Sequence, residues 1–208
     1  MDNTTRRDNG LAYITDEAVW NEMLVNRKLV QEFNNTDCCD RDKLRELANQ
    51  ILGKAGKNCC ITQPFHCDYG KHIFVGDNFY TNYNCVILDV ATVEIGNNVL
   101  FAPNVAVYTA GHPVHPEARN SGYEYGAPIK IGNNVWVGGN TVILPGVTIG
   151  DNCVIGAGSV VTKDIPSNTI SAGNPCKVIR EITAEDKKFY FKDLQFDDEA
   201  WAKINSKD

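Results

Sequence analysis

A chain of 208 residues, 43% hydrophobic and 22% charged, is sized and composed like one globular domain with room for an appendage. Its net charge of −6 argues against nucleic acid or an anionic membrane surface as the main partner; a polyanionic ligand would need a local basic cluster. No apolar run is long enough to span a bilayer, and the polar start from Met1 to Gly10 lacks the apolar stretch of an export signal.

In chain order, the first predicted element is a helix from Asp16 to about Phe33, where Val19, Trp20, Met23, Leu24 and Val30 fall near helical spacing. Asp40 is placed as the N-cap of a second helix, with Leu44, Leu47, Ala48 and Ile51 on one face and Gly53 closing it. Residues 1–57 are therefore expected to form a helical cap. Of the eight cysteines, Cys38–Cys39 and Cys59–Cys60 are adjacent pairs, and no two show the Cys-x-x-Cys spacing of a zinc or redox site. With no export signal, reduced thiols and a cytoplasmic location are expected.

From residue 58 to 181 a repeat dominates. Ile131, Val137, Ile143, Ile149, Ile155 and Val161 follow one another at intervals of six, and four residues after each stands Val135, Thr141, Val147, Cys153, Ser159 or Ile165. The same step links Val75, Thr81, Ile87 and Val93, and then, after a slip of two residues, Ile95, Phe101 and Val107. A period of six is neither helical nor alternating. It suits a strand-and-corner unit, three of which make one triangular coil, with the aliphatics stacked about 4.8 Å apart inside. Glycines beside the aliphatics mark corners that need φ > 0 or exclude a Cβ. The expected fold is mainly β: a parallel β-helix. Residues 113–130 interrupt the repeat as a polar loop thrown out from the prism, a place where function concentrates. Residues 182–208 read as a tail, with a last helix starting at Asp197; solenoid ends need such covers.

Four segments, Asn78-Phe79-Tyr80-Thr81-Asn82-Tyr83-Asn84, Gly111-His112-Pro113-Val114-His115, Ile131-Gly132-Asn133-Asn134-Val135-Trp136 and Gly173-Asn174-Pro175-Cys176-Lys177-Val178-Ile179-Arg180, carry a resemblance. They resemble the maltose, galactoside and nodulation O-acetyltransferases, from about Asp16 to Phe191. The resemblance implies a left-handed β-helix and transfer of acetyl from acetyl-CoA to the 6-hydroxyl of a glucoside, maltose or galactoside. It also implies a homotrimer with sites between subunits, and no metal.

Acyl transfer to an alcohol needs a base, donors for the developing oxyanion, and alignment of both substrates. The resemblance places His112 as the base, a role that suits an imidazole; His115 is a positioning or loop residue. Asp16, Asp68, Asn82 and Asp89 fall where relatives bind the acceptor sugar. Glu124 either orients His112 or touches the acceptor. The galactoside type has Ser at the place of Asp68 and a second Asp at the place of Val90, so this chain leans to the maltose branch. Acetyl-CoA is expected beside Trp136, Gly138 and Gly139, with Ala157 and then Thr162-Lys163 one and two coils further on. Lys163, Lys177 and Arg180 would meet its phosphates, the local basic cluster an acidic protein needs. Three other readings compete: an antibiotic or polysaccharide acceptor, a non-catalytic scaffold, and a γ-type carbonic anhydrase, which needs three zinc-binding histidines where only His112 and His115 lie close.

Overall fold

The computed structural model describes residues 1–206. The repeat closes into a three-walled prism of parallel strands. The first wall stacks Ile73–Val75, Val93–Ile95, Ile129–Ile131 and Thr148–Ile149, and starts at Lys54, which bridges Phe74. The second runs from Cys60–Ile61 through Tyr80–Thr81, Leu100–Phe101, Trp136–Val137 and Val154–Ile155 to Thr169–Ala172, with Lys177–Glu181 antiparallel on its last strand. The third stacks Phe65–Cys67, Cys85–Leu88, Ala106–Tyr108, Val142–Ile143 and Val160–Val161. All six aliphatics of the unbroken repeat are buried, as are the six side chains four residues after them. Each strand puts one side chain inside and its neighbour outside, so this core is a column one residue per wall thick.

The corner glycines follow the second of the two expected reasons, close packing that excludes a Cβ. Gly132, Gly138, Gly150 and Gly156 do not have positive φ; a Cβ on Gly132 would lie 2.4 Å from the Asp151 carboxylate of the next coil. Most left-handed corner positions of the prism belong to asparagine, with Gly146 and Gly158 among the exceptions. Asn58, Asn78, Asn98, Asn134, Asn152 and Asn168 all have φ near +60° and form one ladder, each side-chain amide donating to the next at 2.8–3.0 Å. Asparagine tolerates this conformation better than other residues with a Cβ, and here its amide supplies a hydrogen bond in both directions along the edge.

Helices cover the open end. After α1 (Asn3–Asp8), α2 (Glu17–Asn35) and α3 (Arg41–Ile51) start at the Asp16 and Asp40 caps and put Val30, Phe33, Leu47, Ala48 and Ile51 into the core of the first coil. Asn34 finishes the third wall as a strand would: its side chain donates to Phe65 O at 2.8 Å and accepts from Phe65 N at 2.9 Å. The excursion is less loop-like than its composition suggests. It holds α4 (Pro116–Asn120) and a strand, Tyr123–Gly126, and Ile129 and Lys130 are already back in the first wall. Beyond the prism a hairpin, Phe189–Phe191 with Leu194–Gln195, leads to α5 (Asp198–Asn205), capped by Asp197. No helix among the described residues is long and apolar enough to cross a membrane.

Candidate active site

The prism's third edge, between the third wall and the first, carries every insertion. Cys67 to Val75 and Ile87 to Ile95 each take two residues more than the six-residue step, and Val107 to Ile131 takes eighteen more. These three connections stack in consecutive coils, so Asp68, Asp89 and the His112 excursion rise along one edge. The slip of register at Ile95 is the sequence trace of the middle one. Thr109 knits them: its hydroxyl donates to Leu88 O at 2.7 Å and accepts from Ala91 N at 2.9 Å.

At the base of the excursion, Ala110–Gly111, Tyr123–Gly126 and the N-terminal Tyr13–Ile14 form an antiparallel three-stranded sheet. Gly111 pairs with Tyr125, whose ring lies where a Cβ would stand, 2.5 Å from it, so only glycine fits before the histidine. Extending that register by one residue sets His112, which is exposed, opposite Glu124. Glu124 Oε1 accepts the hydroxyl of Thr15. The next residue, Asp16, caps α2 through Val19 N at 3.1 Å and accepts from Asn3 at 2.9 Å; the Asn3 amide, then the cap, hold its carboxyl below the usual range. Neither partner was evident from sequence. His115 stands at the N-cap of α4.

Lower on the edge, Asp68 faces a cleft of about 490 Å³ between α2 and the third wall, lined also by Arg27, Gln31, Asn34, His66 and Leu88. Arg27 donates to the Asp68 carboxylate at 3.1 Å. Asp89 sits differently from its expected place at the sugar. It is 0% exposed, and its Oδ1 accepts the main-chain N–H groups of Asp68 at 3.0 Å and Tyr69 at 2.9 Å. It braces the segment that carries Asp68. Burial pushes its carboxyl up to about 7, against the pull of those two donors. Val90 is also internal, packed with Tyr13, Val19, Met23 and Tyr69 in a small second core.

The second edge, between the second wall and the third, bears the other group of residues. Asn82, Gly139 and Ala157 follow the second-wall strands in three of its coils, and Trp136, 54% exposed, projects from that wall beside Leu100 and Val154. The Gly139 N–H has no acceptor among the described residues, while its carbonyl accepts Gly158 N at 2.8 Å. Thr162 and Lys163 are placed otherwise than expected: they follow Val161 on the third edge, in the same coil as Ala157. Lys177 and Arg180 lie on the antiparallel strand closing the second wall. Arg180 is engaged by Asp186 through two bonds of 2.7 and 2.9 Å, which raise its basicity and hold the Asp186 carboxyl far below the usual range. One width of the third wall, roughly 15 Å at the rise of a strand, separates His112 from Asn82 and Gly139. Within one chain the expected site is in two halves.

The one group of three metal-donor side chains that converge among the described residues, Asp37, Cys38 and Cys39, lies in the turn between α2 and α3 and contains no histidine. All eight thiols are unbridged.

A prism of stacked hexapeptide coils with a histidine-bearing excursion defines the class: a left-handed parallel β-helix of the hexapeptide transferase kind. Residues 128–163 match the bacterial transferase hexapeptide family (six repeats). Galactoside O-acetyltransferase of Escherichia coli K12 is 50% identical over 179 residues, 86% of this chain and 88% of that protein. A maltose O-acetyltransferase from Clostridium difficile 630 superposes with a TM-score of 0.87 at 50% identity, covering 88% of this chain and 98% of that one. A galactoside acetyltransferase in complex with coenzyme A does so with a TM-score of 0.91 at 47% identity, covering 95% and 99%. The chain belongs to the galactoside and maltose O-acetyltransferase family of hexapeptide-repeat enzymes.

Proposed function

We propose that this enzyme moves the acetyl group of acetyl-CoA to the 6-hydroxyl of a glucose-type sugar, glucoside or maltose before galactoside. The observation that supports the reading is the three-stranded sheet at the third edge, which pairs Gly111 with Tyr125, the chain neighbours of His112 and Glu124, and joins Glu124 to the segment leading to Asp16. His112 takes the proton of the sugar hydroxyl as its oxygen attacks the thioester carbonyl carbon. The unpaired N–H of Gly139 suits the oxyanion that forms. The C–S bond then breaks, and the CoA thiolate recovers the proton from the imidazolium.

In this reading Asp68 with Arg27 reads the sugar, together with Asn82 and Asp16, while Asp89 holds Asp68 from behind. The lean away from galactosides rests on Asp68 and on the apolar Val90. The pantetheine arm lies along Trp136, Gly139 and Ala157, and Thr162, Lys163, Lys177 and Arg180 take the nucleotide end.

The half-sites on the second and third edges come together when a second copy sets its second edge against the third edge of the first. A closed ring of such contacts is a homotrimer with three equivalent sites. The exposed apolar ladder of Leu100 and Trp136 supports burial of that wall. The unbridged thiols fit a reducing cytoplasm. A panel of sugars, amino sugars and streptogramins, assayed by thioester loss with mass detection of the acetylated product, tests the acceptor class. Acetylation confined to a non-sugar acceptor would replace the sugar reading. Sedimentation equilibrium tests the assembly; a fully active monomer would end the shared-site arrangement.

A further inference from the structure

Thr15 and Glu124 are separated by 109 positions in the chain, yet the Thr15 hydroxyl donates to Glu124 Oε1. Two consecutive backbone pairs, Tyr13 with Glu124 and Ile14 with Tyr123, hold the two segments in register beside that bond. Among the described residues Glu124 Oε2 has no partner within the chain.

The segment that supplies Thr15 is itself firmly anchored. Asn3 accepts Ile14 N at 3.0 Å and donates to Asp16 at 2.9 Å, and Arg6 Nε donates to Ala12 O at 2.6 Å. The Arg7 side chain is fully buried, ion-paired with Asp8 at 2.7 Å and with Glu22 at 2.8 Å, and its guanidinium stacks 4.4 Å over the Tyr69 ring. Tyr13 packs beside it in the second core.

We propose that Thr15 is the positioning residue for Glu124, and that residues 1–16 are thereby part of the acyl-transfer site. This rests on the proposed acetyl transfer by His112 and on the sequence-based expectation that Glu124 orients His112 or touches the acceptor. A glutamate on an exposed strand turns about three side-chain bonds. A threonine has few χ1 rotamers, and one on an anchored strand fixes one carboxylate oxygen and leaves the other to accept a proton donor. Pre-set acceptors need no reorganisation when charge develops on the imidazole. A hydroxyl that only completed the end of a small sheet would contribute to folding and not to turnover.

The test measures kcat, both KM values and Tm for Thr15→Ser, Thr15→Val, Glu124→Gln and the double variant Thr15→Val/Glu124→Gln. Thr15→Val should lower kcat about tenfold, the scale of a misplaced catalytic group, with KM for acetyl-CoA within about twofold and Tm near that of the parent. Thr15→Ser keeps the donor and should stay within about threefold. On the Glu124→Gln background Thr15→Val should cost nothing further, because residues acting through one another are not additive. Thr15→Ala replaces Val if Val disturbs the strand. Full additivity in the double variant, or equal losses for Ser and Val, would overturn the proposal. An impaired Glu124→Gln enzyme with a silent Thr15→Val sinks this proposal alone. A Glu124→Gln enzyme with parental kcat sinks the catalytic reading of Glu124 itself.

Discussion

Asp89 accepts the main-chain N–H of Asp68 at 3.0 Å from a position with no solvent exposure, so one carboxylate of the site edge holds another in place. Its carboxyl is pushed up to about 7 by burial, above the ordinary 3.8. The folded protein then binds a proton more tightly than the unfolded chain between about pH 4 and pH 7, and stability falls as pH rises through that window. Asn at this position can accept the same two N–H groups without a buried charge. Asp89→Asn should therefore lose less Tm than the parent between about pH 5 and pH 8, as read by calorimetry. Identical pH dependence in the two proteins would show that Asp89 does not titrate there.

The asparagine ladder makes a separate claim about stability. Asn134 has φ +57° and bonds to Asn98 at 3.0 Å and to Asn152 at 2.9 Å. Asn134→Ala loses both bonds and puts a Cβ residue that cannot compensate into the left-handed region, at about 2–3 kcal/mol in total. Asn134→Gly loses the bonds but relieves the backbone, so it should be the milder change in urea unfolding. Ala milder than Gly would contradict the account of this edge.

The six-residue step of Ile131 to Val161 was enough to place the core, because a one-residue-deep column leaves little choice of partner. The helix starts at Asp16, Asp40 and Asp197 were legible, the first from the helical spacing of Val19, Met23 and Val30 and the second from its capping aspartate. The ladder has a sequence signal too, since Asn78, Asn98, Asn134 and Asn152 each stand three residues after a core aliphatic. Asp89 and Val90 could not be placed, because whether a corner residue points in or out depends on how its insertion stacks on the next. The Thr15–Glu124 bond was out of reach, as nothing local links the two segments. The pairing of Arg180 with Asp186 depends on a turn of 3₁₀-helix that the polar tail does not announce.

In the proposed function Arg180 meets the nucleotide end of acetyl-CoA, yet within the chain it is held by Asp186. Arg180→Glu should raise KM for acetyl-CoA several-fold and leave KM for the sugar nearly constant. The effect should shrink at high salt, because both side chains are solvent-accessible and screened. A drop in Tm with both KM values unchanged would assign the pair to holding the tail.

Asp68 meets Arg27 in the cleft between α2 and the third wall, and in the proposed function it is the residue that reads the sugar. Asp68→Ser should raise the galactoside-to-glucoside ratio of kcat/KM by a few-fold, with acetyl-CoA kinetics unchanged. Val90, being internal, is not a useful partner change: an added carboxylate would be buried among Tyr13, Val19, Met23 and Tyr69. A constant ratio after Asp68→Ser would remove Asp68 from sugar selection.

Turnover of acetyl-CoA with a glucoside acceptor, by the parent and by His112→Ala, decides whether acetyl transfer runs with His112 as base. The parent should release CoA and form the O-acetyl sugar in equal amounts. His112→Ala should lose about 10²–10⁴ in kcat while still binding acetyl-CoA. A His112→Ala enzyme that keeps more than about a tenth of the parental kcat, well outside that range, would contradict the account.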